Sequence, residues 1–263
     1  MTGPTTHEAP GVPAPAPLLL VAASGLAREV LALVRAHGTH EVIGILDDSA
    51  ELHGTAVDGA AVLGGLDAVT AYPDAQLLVC AGRGSARESI VTRLAGLGVG
   101  AGRYATVVHP GVEVHVGSSV GPGSVLLAGV VLTTAVTVGA HVVVMPNVTL
   151  THDDVVQDYA TLCAGVALGG SVVVGRGAYL GMNAGVRERV RVGDGATLGM
   201  GAALLTDLPA GETWAGVPAA PLGGSVRSAS GPALGSASGA GPDATSGLLP
   251  SVAVGSGRHR WTS

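Results

Sequence analysis

Residues 143–180 read VVMPNVTLTHDDVVQDYATLCAGVALGGSVVVGRGAYL. Every sixth position is aliphatic: Val144, Leu150, Val156, Leu162, Leu168, Val174 and Leu180. The series runs back without a miss through Val138, Leu132, Leu126, Val120 and Val114 to Val108. It runs forward through Val186, Val192 and Leu198 to Leu204. Two residues before each aliphatic, most positions are small or β-branched, as at Ser118, Ser124, Val142, Ala160, Ala178, Ala184, Ala196 and Ala202. Gly often follows, as at Gly121, Gly139, Gly169, Gly175, Gly181, Gly193 and Gly199. A helix repeats every 3.6 residues and a strand every 2, so a period of six belongs to neither. It belongs to a coil of short strands, each turning one aliphatic residue inward. With about three hexads to a coil, the series makes nearly six coils, a column roughly 27 Å tall at the ~4.8 Å spacing of neighbouring strands.

The rest of the chain reads differently. Residues 17–105 alternate strands and helices. Leu18-Leu19-Leu20-Val21 is a buried strand, Ala22-Ala23-Ser24-Gly25 a tight turn, and Ala27 to Ala36 has helical spacing. Val42 to Leu46 is a second strand ending at Asp47-Asp48, and Leu77 to Ala81 a third ending at Gly82. Ser85 to Leu97 is a helix with Ser85 as its expected N-cap. This alternation predicts a small parallel sheet that binds ligands at the strand C-terminal ends. The coil occupies 106–222, and Thr206 to Pro221 breaks its rhythm and should cap the open end. Residues 1–16, rich in Pro, Ala and Thr, and 223–263, rich in Gly, Ser and Ala, are expected to be disordered.

Composition narrows the function. Hydrophobic residues make up 47% of the 263 and charged ones 12%, enough for a large core. Aromatics are only 2%, with no Phe, as suits a narrow lumen filled by Val, Leu and Ala. A net charge of −6 argues against nucleic acid. No apolar run reaches the ~20 residues of a membrane span. No secretory signal is visible, and Cys80 and Cys163 show no zinc spacing, so a reduced, cytoplasmic location is expected.

One hexad departs from the rest. Thr151-His152-Asp153-Asp154 places a His and two carboxylates where other hexads carry Gly, Ala or Val. His exchanges protons near neutral pH, and an adjacent carboxylate fixes its tautomer. One coil of ~18 residues beyond His152 lies Gly170, in the coil's one Gly pair. A bare backbone beside a base lets a ligand or an oxyanion reach an N–H. The alternative is a solvated polar residue on a coil face. His141, His115 and His109 raise a metal reading, but none lies a whole number of coils from His152, and no metal is expected. The 22–25 turn lacks the full dinucleotide-binding glycine pattern, and Asp47-Asp48 are either hydroxyl acceptors or an exposed loop.

Together these residues resemble the NeuD/PglD-type sugar O- and N-acetyltransferases of the hexapeptide-repeat superfamily. The points of contact are Ala23-Ser24-Gly25, Leu46-Asp47-Asp48, Ala81-Gly82, Val108-His109-Pro110, the hexads with Thr151-His152-Asp153, and the closing Leu208-Pro209-Ala210-Gly211 and Gly216-Val217-Pro218-Ala219. The resemblance implies a Rossmann-like α/β domain followed by a left-handed parallel β-helix, an exception to right-handed crossovers. It implies a homotrimer with active sites between subunits, acetyl-CoA as co-substrate and a small-molecule acceptor. His152 takes the place of the general base and Asp153 that of its acidic partner. Thr161, Gly170, Met182, Met200 and Gly216 fall on the acetyl-CoA path. Ser24, Gly25, Leu26, Asp47, Asp48 and Gly82 fall on the acceptor site.

The chain departs from this family in three places. Thr161 stands nine residues after the base where a second His is common, Gly25-Leu26-Ala27 replaces Gly-His-Gly, and Met145 replaces an Asn. The reading is an acetyl-CoA-dependent acetyltransferase. Its rivals are a scaffolding β-helix without activity and a metal-dependent lyase or hydratase on the same coil.

Overall fold

The computed structural model describes residues 15–222. The segments before residue 15 and after 222, both expected to be disordered, lie outside the described residues. Strand β1 (Ala16–Val21) takes in Ala16, the last residue of the stretch 1–16 expected to be disordered. It is followed by α1 (Gly25–His37), β2 (His40–Leu46), β3 (Ala56–Val57), β4 (Ala60–Gly64), β5 (Gln76–Val79) and α2 (Gly84–Gly96). The sheet order is β3-β4-β2-β1-β5, with only β3 antiparallel. The β3–β4 hairpin is an addition to the three strands read from the sequence.

Both faces of this sheet are buried, so β1 is apolar throughout. Its residues alternate between two cores. Leu18 and Leu20 face α1, where Leu26, Ala27, Val30, Leu31 and Val34 pack on them. Leu19 and Val21 face the other way, toward Leu94 of α2 and Tyr104. The first core also includes Val107, Val125, Leu127 and Val143 of the coil, so the α/β domain and the column share it.

The column is a left-handed parallel β-helix of two-residue strands in three faces. The face docked on the α/β domain carries Val107, Val125, Val143, Thr161, Tyr179 and Thr197 in register. The second face carries Val131, Thr149, Ala167, Gly185 and Ala203. The third carries Ser119, Thr137, Val155, Val173 and Arg191. The chain passes from docked face to second to third and back. From Leu126 to Leu204 the hexad aliphatics fill the lumen. Three residues after each of these except Leu204 stands a left-handed residue that makes the corner, such as Ala135, His141, Asn147, Asp153 and Tyr159.

The series misleads at its start. Val114 is 43% exposed because the first coil has no strand there; Val112 turns inward instead. At the far end Thr213–Ala215 adds a parallel strand beside Thr197–Leu198, and Ala220–Pro221 folds back antiparallel on it. Leu208 joins the lumen core at this end, and Trp214 packs against it.

Candidate active site

His152 occupies the corner between the second and third faces. Its ring is exposed, and Nδ1 lies 2.9 Å from Oδ2 of Asp153. The left-handed backbone at Asp153, φ 62°, belongs to the corner geometry and brings this carboxylate beside the preceding ring. With Nδ1 engaged, Nε2 is the nitrogen available to a substrate. The next corner of the same edge begins at Gly169-Gly170, and a Cβ added at Gly170 would collide with the His152 imidazole. Ser171 N–H donates to the His152 carbonyl at 2.8 Å, which holds the two corners in register. Among the described residues the Gly170 N–H meets no acceptor. The edge thus offers a proton acceptor and a free backbone donor side by side.

Asp154 lies behind this corner, fully buried in the lumen. Its carboxylate accepts from Thr151 N–H at 2.7 Å and from Val172 N–H at 2.8 Å. Burial pushes its carboxyl up to about 6.

A second feature lies across the column. A cavity of about 470 Å³ opens between the α/β domain and the docked face. Gly25, Leu26 and Glu29 of α1 line it, with Gly82 and Arg83 before α2, and Val143, Met145, Thr161, Cys163 and Tyr179 from the column. Gly25, Leu26, Gly82 and Thr161 therefore meet in one place. Ser24 is beside it, but its hydroxyl is occupied: it donates to Cys80 O at 2.6 Å and caps α1 by accepting from Ala27 N–H. Asp47 and Asp48 do not line this cavity. Asp47 accepts from Ala23 and Ser49 N–H groups, and Asp48 from Leu66 N–H while pairing with Arg93 at 2.5 Å. Met182 and Met200 are exposed at the corner between docked and second faces, and Gly216 (φ 97°) lies in the closing segment.

The wall of the cavity depends on Arg87, which the sequence did not single out. It is completely buried and makes six hydrogen bonds, none to a carboxylate. Its guanidinium donates to Ala81 and Gly82 carbonyls of the α/β domain, to His141, Tyr159 and Ala160 carbonyls of the column, and to Thr161 Oγ1. Burial lowers its pKa to about 10, where it is still charged at neutral pH. Thr161 Oγ1 donates its own hydrogen bond to Gly82 O at 3.1 Å, so its hydroxyl ties the two domains together. Gly84 begins α2 hard against the Tyr159 carbonyl, where any Cβ would clash. That contact sets the helix start, so Arg83 and not Ser85 is the N-cap residue.

The other histidines do not join His152. His141 is buried, stacked on Tyr159 with centroids 5.1 Å apart, and held neutral with its pKa lowered to about 4, first by burial and then by Arg87. His109 accepts from Gly111 N–H and meets His37 edge-on. Among the described residues no three His, Cys, Asp or Glu side chains gather as a metal would require. Cys80 is buried, with its thiol pushed up to about 12.

Residues 17–94 match the family model of the PglD N-terminal domain. The whole fold is similar to three solved structures. One is the acetyltransferase domain of PglB from Neisseria gonorrhoeae in complex with acetyl coenzyme A: 28% identity, TM-score 0.71, covering 79% of this chain and 100% of that one. Another is a perosamine N-acetyltransferase from Caulobacter crescentus with CoA and GDP-perosamine: 26% identity, TM-score 0.73, covering 80% and 98%. The third is WeeI from Acinetobacter baumannii: 25% identity, TM-score 0.65, covering 78% and 99%. No curated protein sequence matches the chain.

Proposed function

We propose that this chain, a member of the PglD-type sugar acetyltransferases of the hexapeptide-repeat superfamily, moves an acetyl group from acetyl-CoA to an amine or hydroxyl of a sugar or nucleotide-linked sugar. The observation that carries the reading is the pairing of His152–Asp153 with the free N–H of Gly170 on the next coil. The acceptor's nitrogen or oxygen attacks the thioester carbonyl carbon while His152 Nε2 takes its proton. The carbonyl oxygen becomes an oxyanion and accepts from Gly170 N–H. The C–S bond then breaks, and the imidazolium returns the proton to the leaving CoA sulfur. Asp153 steadies the charged ring. Transfer is direct: Cys163 lies on the docked face, away from His152.

The acceptor occupies the cavity between the α/β domain and the docked face, with Gly25, Leu26 and Gly82 around it. That cavity and the His152 corner lie on opposite sides of one column, separated by the filled lumen. A second copy of the chain is needed to bring base to acceptor. A closed cyclic trimer of columns satisfies this requirement three times over, and the nearly uncharged second face, with Val131, Thr149, Ala167, Gly185 and Ala203, suits such packing. A cytoplasmic location belongs to the same reading, since acetyl-CoA is a cytoplasmic metabolite. No helix among the described residues is long and apolar enough to cross a membrane.

The test is release of CoA thiol from acetyl-CoA across a panel of amino sugars and sugar nucleotides. His152→Ala is expected to lower kcat by about 10²–10⁴-fold, the usual contribution of a positioned base, with assembly and acetyl-CoA binding intact. If the variant keeps more than about a tenth of wild-type kcat, His152 is not the base.

A further inference from the structure

Asp154 is out of place in its column. The residues that turn inward along the edge beneath His152 are Val136, Asp154, Val172 and Val190, all buried. Three are aliphatic and one is a carboxylate with no exposed surface. Taking a carboxylate into an apolar lumen is unfavourable unless hydrogen bonds offset it, and an aliphatic residue serves the packing at the same position in neighbouring coils.

The carboxylate also alters the local ladder. On the same edge Thr133, Gly169 and Arg187 each donate their N–H to the coil above, to the carbonyls of Leu150, Val186 and Leu204. Thr151 does not. Its N–H turns inward to Asp154 Oδ2, and its hydroxyl takes over the Leu168 carbonyl at 3.1 Å. The second-face strand at Thr149–Leu150 consequently pairs upward through Thr149 alone, whereas it pairs downward through both residues. The other oxygen of Asp154 takes Val172 N–H, two residues beyond Gly170. The side chain thus grips the residue before His152 with one oxygen and the Gly170 corner with the other.

We propose that Asp154 is a positioning residue, which draws the Thr151 N–H out of the ladder and bonds Val172 N–H so that the His152 turn is held in fixed relation to the Gly170 turn. The role of that relation in transfer rests on the function proposed above. The raised pKa of the carboxyl agrees with this placement, because it is the mark of a group buried at a cost to the fold. The groups facing it are the N–H donors of Thr151 and Val172 and the charged or titratable His152 and Asp153.

The decisive variant is Asp154→Val, which installs the residue found at Val136 and Val172. Lumen packing is kept, so the melting temperature is expected to hold or rise. With the grip gone, kcat is expected to fall about ten- to a hundredfold, as misplacement by an ångström does, while KM for acetyl-CoA stays the same. Asp154→Asn, which keeps one acceptor oxygen, should recover part of the lost kcat. Unchanged kcat in Asp154→Val overturns the proposal. So does a parallel fall of kcat and melting temperature, which would mark a merely structural role. A crystal structure of Asp154→Val decides the matter without any assay: Thr151 N–H should return to Leu168 O and the His152 ring should move. A ring left in place refutes the positioning role. Should wild type release no CoA with any acceptor, the transfer reading fails, and the crystal comparison still judges Asp154.

Discussion

One methyl group tests the geometry at Gly170. A Cβ there would strike the His152 ring, and that ring is an exposed side chain free to swing aside. The fold should therefore absorb Gly170→Ala, while the base is pushed away from the Gly170 N–H. We expect a kcat loss of about ten- to a hundredfold with a melting temperature within a few degrees of wild type; wild-type kcat would show that the ring and this backbone do not act together. The place of His152 was legible because its hexad joins a His to two carboxylates, a combination that no other hexad carries. Its separation from Gly170 was legible too, since the coil repeats at a constant length. The inward turn of Asp154 was not read, although it stands two residues before Val156, where other hexads carry small or β-branched residues. Asp154 also makes a pH prediction. Its carboxyl is held at about 6 in the folded chain, above the ordinary carboxylate value, chiefly by burial. The folded state therefore binds this proton more tightly than the unfolded chain between roughly pH 4 and 6, and the group's contribution to stability falls as pH rises through that window. Wild type should lose melting temperature relative to Asp154→Val from the bottom of this window to the top. Parallel curves would place the carboxylate in water.

At the scale of elements, α2 is joined to the column by one buried cation. Arg87 satisfies carbonyls from both domains, and Thr161 links it to Gly82 at the cavity wall. Arg87→Met fills part of the space but leaves those carbonyls without donors, each lost partner costing about 1–3 kcal/mol. A clear drop in melting temperature is expected, with a raised KM for the acceptor and an unchanged Kd for acetyl-CoA. An unaltered acceptor KM would show that this wall does not shape acceptor binding. Sequence periodicity could not reveal Arg87, since an arginine on a helix of weak amphipathicity reads as solvated and only the tertiary partner shows otherwise. The start of α2 was missed for the same kind of reason: Gly84 is fixed by the Tyr159 carbonyl and not by a capping side chain. The β3–β4 hairpin was missed because its strands are short and lie among turn residues. The coil strands were legible because each repeats one inward aliphatic, and the series failed at Val114, where a missing strand leaves the hexad nothing to turn into.

At the scale of the molecule, the two halves of the proposed chemistry lie on opposite sides of each column, and that separation can be tested by mixing. His152→Ala removes the base and leaves the cavity. Gly82→Phe fills the cavity and leaves the base; a Cβ at Gly82 meets nothing within 4 Å, so the new ring has room to enter without displacing backbone. Each variant alone should be inactive in transfer. In trimers reassembled from an equal mixture, a site built from one chain's base and its neighbour's cavity is intact whenever the first chain is Gly82→Phe and the second His152→Ala. Random mixing makes that about a quarter of all sites in a closed ring of three, so about a quarter of wild-type activity should return. A site contained within one chain would recover nothing, because every chain in the mixture carries one of the two lesions. Recovery also requires that chains associate, so sedimentation equilibrium of the same samples must show a trimer. A monomer at micromolar concentration, or a trimer without recovered activity, would place acceptor and base within one chain. A Gly82→Phe protein that stays fully active would move the acceptor out of this cavity altogether.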